Sequence, residues 1–108
     1  MTGVKLDRLL TLEDPGRAAD GAGGFVETWT ALGTLWAQVV PRSGREAADG
    51  SVVRYRIVVR DSPPGSPARP LPQQRFSEGG RVFHIEAVTE APGLDRHLLC
   101  YAYEETAA

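Results

Sequence analysis

His84, Glu86, His97 and Cys100 are the group in this chain that suggests a metal site. A structural zinc site needs four ligands converging on one point. His97 and Cys100 lie an odd number of positions apart in a strand-like stretch, so they face opposite sides. His84 and Glu86 share a polar face, but two ligands do not make a site. We read this group as solvated surface residues, with no metal. Ser43 and Ser51 lack the Gly-x-Ser-x-Gly setting of an activated nucleophile, and neither histidine has a triad neighbour. Gly21-Ala22-Gly23-Gly24 does not match a phosphate loop, because no helical pattern comes after it to supply an N-terminal dipole. It reads as a flexible hairpin loop. Pro64-x-x-Pro67-x-x-Pro70 beside Arg69 has polyproline-ligand spacing, but so proline-dense a segment produces it by chance. No catalytic residue and no cofactor is expected.

Arginine remains. Arg54, Arg56 and Arg60 stand on one side of Val53–Arg60, opposite Val53, Tyr55, Ile57 and Val59, and form a candidate basic face. Barrels that track single-stranded nucleic acid interleave aromatics with such charges. Tyr55 lies on the other side, so a solvated or subunit-contacting face is the plainer reading. With 14 acidic and 12 basic residues the net charge is −2, which argues against free-standing nucleic-acid affinity as the main activity.

The elements that position these arginines are set by the apolar pattern. Leu35–Val40 is a strand stopped by Pro41, and Val53–Arg60 alternates cleanly. Between them, 42–51 holds no large apolar residue, so a rigid strand pair presents a long hydrophilic loop. Ser43 and Glu46 have capping-box spacing, but Ala47-Ala48 before Asp49-Gly50 supports one helical turn at most. Upstream, Leu6–Leu12 reads as a strand with Leu10 and Leu12 inward, ending at Asp14-Pro15-Gly16. Arg17–Gly24 reads as a surface turn and Phe25–Trp29 as a strand, with Gly33 marking a bulge. Downstream, 62–72 is expected to be an exposed, extended polyproline connector. Gln73–Phe76 and Arg81–Val88 flank a hairpin turn. Arg96–Tyr103 closes the domain, and Glu104–Ala108 is a fraying tail. The fold class is all-β: a small antiparallel β-barrel or sandwich of about six strands with a projecting loop. Its core should include Leu10, Leu12, Leu35 or Trp36, Tyr55, Ile57, Phe83 and Ile85.

A 42% apolar fraction over 108 residues fits one globular domain, 1–108. The single Cys100 excludes an internal disulfide. No apolar run approaches the ~20 residues of a membrane helix. Met1–Lys5 lacks the apolar core of a signal peptide, so a soluble protein made in the cytoplasm, with no membrane partner, is expected.

Taken in order, Leu6-Asp7-Arg8-Leu9-Leu10-Thr11-Leu12, Gly23-Gly24-Phe25-Val26-Glu27-Thr28-Trp29, Leu35-Trp36-Ala37-Gln38-Val39 and Pro41-Arg42-Ser43-Gly44-Arg45-Glu46 form a familiar series. Tyr55–Arg60 and Gly80–Val88 continue it. In order and spacing, from about Gly3 to Glu104, the sequence resembles the head–tail joining (connector or stopper) proteins of tailed phages and gene-transfer agents. The proline-rich segment is fuller than that family leads one to expect.

The resemblance implies a structural neck subunit, not an enzyme. It implies a homo-oligomeric ring, a hexamer before a dodecamer, around packaged double-stranded DNA. The other partners implied are an adaptor or portal ring above and tail terminator or tail tube proteins below. It also implies an inward loop closing the channel, for which Arg42, Ser43, Gly44, Arg45, Glu46, Asp49 and Gly50 are the candidates. A surface loop outside the ring is the competing reading of those residues. Competing functions are another neck protein, such as the tail terminator, and an oligonucleotide-binding barrel.

Overall fold

Period-two alternation decides which way β3 (Val52–Arg60) faces. Tyr55, Ile57 and Val59 are buried, while Arg56 and Arg60 are exposed. β5 (Arg81–Glu90) buries Phe83 and Ile85, and β6 (His97–Glu105) buries Leu98, Cys100 and Ala102. These side chains meet Leu10 and Leu12 of β1 (Arg8–Ala19), Ala37 of β2 (Phe25–Pro41) and Phe76 of β4 (Arg75–Glu78) in one core. The computed structural model describes residues 4–42 and 52–105, and no helix occurs among them. All neighbouring strands are antiparallel, in the order β1-β2-β3-β6-β5-β4, and β4 returns to β1 to close a barrel. Closure removes the sheet edges that would otherwise offer unpaired donors and acceptors.

One part of the sheet escapes that closure. β1 and β2 pair over their whole common length, from Arg8↔Ala37 to Ala19↔Phe25. β1 meets β4 only at Thr11–Glu13, and β2 meets β3 only from Ala37 on. Beyond those limits the two strands form a two-stranded arm, and the described residues extend 57 × 36 × 22 Å. The first strand therefore does not stop at Asp14-Pro15-Gly16. Pro15 pairs opposite Trp29 in the arm, where one side of β1 meets no described strand, so a missing N–H is tolerated. The turn shrinks to Asp20–Gly24. There the Asp20 carboxylate accepts from the N–H groups of Ala22 (2.8 Å) and Gly24 (3.0 Å), which holds its pKa below the usual carboxylate value. The expected bulge at Gly33 is present: Leu12 pairs with Gly33 but Glu13 pairs with Ala31, leaving Leu32 extra.

Three further expectations need correction. Residues 62–72 are largely exposed, as expected, but do not form an extended connector. Turn hydrogen bonds Ser66 N–H to Pro63 O and Arg69 N–H to Ser66 O (both 3.0 Å) fold the segment, and Pro70 is fully buried. Its anchor is Gln74, the one buried polar residue described. The Gln74 side chain accepts from Leu71 N–H and donates to Asp14, each at 2.9 Å. Second, the tail does not begin at Glu104: Glu104 and Glu105 pair with Val53 and Val52. Third, Cys100 is a core thiol rather than a solvated one, and burial pushes its pKa up to about 12. The open choice between Leu35 and Trp36 resolves to Leu35, which packs against the core, while Trp36 is 55% exposed.

Candidate functional site

The arginines of β3 acquire neighbours from β2 and β6. Antiparallel register sets Val40 opposite Arg56 and Gln38 opposite Val58 on the outer surface of the barrel. Arg42 extends the row: its N–H donates to Arg54 O (2.9 Å) and its guanidinium lies 5.6 Å from the Tyr101 ring centroid. Arg54 Nη1 donates to Glu86 Oε1 at 3.1 Å, so part of its charge is spent on β5. Glu86 faces outward by alternation after buried Phe83 and Ile85, at the point where the β5–β6 register shifts between Ile85 and Ala87. Val58 interrupts the basic row and is buried with Ala91 and Leu99, against which Leu6 and Leu94 pack. The basic face is thus a mixed surface. Exposed Trp36 and Val40 lie among Arg56 and Arg60.

Of the channel-loop candidates, Ser43, Gly44, Arg45, Glu46, Asp49 and Gly50 lie outside the described residues. Arg42, at the foot of that loop, is half-buried.

A second polar group was not foreseen. Tyr55 donates its hydroxyl to Glu104 Oε1 (3.0 Å) and accepts from Arg81 Nη2 (3.1 Å), while Arg81 also grips Glu104 through Nε (2.9 Å) and Nη2 (3.0 Å). Arg8 Nε donates to Glu78 at 3.1 Å nearby. Hydrogen bonding to Arg81 holds the Glu104 carboxyl below its usual range, and Arg8 does the same for Glu78. Burial, then Glu104, raises the Tyr55 phenol. Continuing the alternation of Leu98, Cys100 and Ala102 by one step would have found Glu104. Its place in a Glu-Glu-Thr-Ala-Ala ending hid it.

His84 and Glu86 do not join His97 or Cys100. His84 stacks on Tyr103 (5.0 Å, 28°) and meets Trp29 edge-on at 6.5 Å, so it is half-buried among aromatics rather than solvated. Arg75 lies 4.0 Å from the Trp29 ring centroid, clamping the root of the arm to β4. His97 Nδ1 sits 2.7 Å from Asp95 O. No metal-capable cluster occurs among the described residues.

Comparison with known proteins identifies the family. The sequence matches the phage head completion protein family over residues 1–106. The chain belongs to that family. A chain from the virion of a native gene transfer agent particle is 42% identical. That alignment covers 97% of this chain and 99% of that one, with a TM-score of 0.77. A protein of Shigella flexneri 2a, solved in solution, shares the fold at 24% identity, with 92% of each chain covered and a TM-score of 0.60. No curated protein matches significantly. Head completion proteins are structural proteins of the virion and are not an enzyme family, so the resemblance read from the sequence is borne out at that level.

Proposed function

We propose that this head completion protein is a neck subunit of a tailed phage or gene-transfer-agent particle. Copies of it form a ring between the portal or adaptor and the tail, joining head to tail and closing the DNA channel. The observation that carries the reading is the near full-length likeness to a chain of a gene transfer agent virion. The barrel supports it: a closed β-wall is stiff enough to hold a ring, and its outer face mixes arginine with exposed aromatic and aliphatic side chains. We assign the connection between β2 and β3 to the channel on sequence grounds. Arg42 and Arg45 are offset by Glu46 and Asp49, and balanced charge lets a loop meet DNA yet release it.

Electron microscopy of particles carrying a labelled subunit tests the position: density at the neck is expected, and label on the capsid or tail tip refutes it. Replacing 43–50 with a short Gly-Ser turn tests the loop. Such particles should package DNA and then leak it before tails attach. Retention at the wild-type level would remove the loop from the channel.

A further inference from the structure

The two-stranded arm and the outer face of β2–β3 are each incomplete. An isolated two-stranded ribbon is marginal in water, because neither face nor either outer edge is covered. Beyond its root this arm nevertheless exposes Phe25 (62%) and Val26 (51%). The outer face exposes Leu9, Trp36 and Val40. Among the described residues, the other exposed large apolar side chains are Leu32, at the bulge where the arm begins, and Leu71.

Their charges differ in sign. Between Asp14 and Thr30 the arm carries Asp14, Asp20 and Glu27 against Arg17 alone. Two shallow hollows mark the outer face, one lined by Leu6, Leu35, Trp36 and Arg60, the other by Val40, Arg56, Val58 and Leu94. No carboxylate lines either one. Tryptophan and arginine beside aliphatic side chains are the residue types enriched in interface hot spots.

We propose that the arm of one copy docks on the Trp36–Val40–Arg56–Arg60 face of the next copy. The occupant is a second copy because one chain carries both halves: an acidic apolar projection and a basic apolar seat. The two patches differ, so the contact is heterologous and repeats head to tail, which closes a ring when the rotation allows. This inference rests on the ring reading above and names the contact that would build it.

Disulfide trapping in particles tests it, with Cys100 silent because its thiol is buried and pushed up to about 12. Phe25→Cys and Val26→Cys sample the two faces of the arm, and Val40→Cys samples the seat. Particles containing a mixture of one arm variant and the seat variant should yield a mixed covalent dimer from one arm position. Particles with a single variant should yield none. Arg56→Glu with Arg60→Glu on the seat copy should cut the yield severalfold, through lost charge complementarity. Self-cross-linking of an arm variant, or capture of Val40→Cys by a different particle protein, would overturn the proposal. If a ring is imaged at the neck and neither arm position reaches Val40→Cys, the docking is wrong while the ring stands. If the same particles show no ring, the ring reading has failed and the docking with it.

Discussion

Tyr55 shows how one side chain serves two layers. Its ring meets Phe83 edge-on at 5.1 Å and 86° inside the core, while its hydroxyl joins Glu104 and Arg81. The inward faces of β3 and β5 were legible in the sequence because Tyr55, Ile57, Phe83 and Ile85 alternate with polar residues. Ile57→Ala or Phe83→Ala should cost roughly 2–5 kcal/mol, from lost burial plus a cavity. Urea titration reads this directly, and wild-type stability would mean those side chains are not core. The polar group was not legible, since nothing in a strand pattern says that an inward glutamate will find an arginine. Glu104 and Glu78 hold protons less tightly folded than unfolded. Their contribution is therefore fully present above the ordinary carboxylate value of 4.5, and is lost as pH falls through the lowered folded values. Glu104→Gln should cost about 1–3 kcal/mol at pH 7, by weakening charge-assisted bonds to Arg81, and much less near pH 3. Equal losses at both pH values would show that charge is not what binds Arg81 there.

At the scale of elements, the sequence was readable where punctuation and pattern agreed and misleading where they did not. Gly79-Gly80 turns the β4–β5 hairpin with both φ angles positive, as two adjacent glycines foretell. Asp14-Pro15-Gly16 has the same local look but sits inside β1, because a ribbon open on one side tolerates a proline that a central strand would not. The proline-rich segment failed in the opposite direction. Pro70 is buried because the Gln74 side chain and a run of turns fold the segment inward, a tertiary bond invisible in composition. Gly33 was read correctly, and its φ of 145° explains why. A Cβ added there would meet nothing within 4 Å, so any penalty is backbone strain rather than collision. Gly33→Ala should cost about 1 kcal/mol, roughly 4 °C in melting temperature for a chain this size. An unchanged melting curve would mean the bulge relaxes freely. If the loss appears, the bulge is a fixed joint that aims the arm.

For the whole molecule, barrel and sandwich could not be separated by strand count. Three register pairs decide it: Thr11↔Ser77, Leu12↔Phe76 and Glu13↔Arg75 between β1 and β4, reinforced by the ion pair of Arg75 with Glu13 at 2.6 Å. Long-range pairings of four-residue strands such as β4 leave no local trace in a sequence. Assembly obeys the same logic of small decisions. The core is built from side chains of all six strands of one chain. The exposed large apolar side chains among the described residues lie mainly in small groups on the arm and on the outer face of the barrel, interrupted by charge, unlike the continuous apolar surface of an obligate oligomer. In the proposed ring, each contact between copies is therefore weak alone, and the ring gains strength when neighbours are held at high local concentration. At micromolar concentration the isolated protein should sediment as a monomer or a weakly associating species, and form its ring on the surface of an adaptor or portal ring. A tight hexamer or dodecamer in analytical ultracentrifugation would show that the ring forms before docking. It would leave the connector role intact and move the decisive binding energy from the docking surface to the contact between copies.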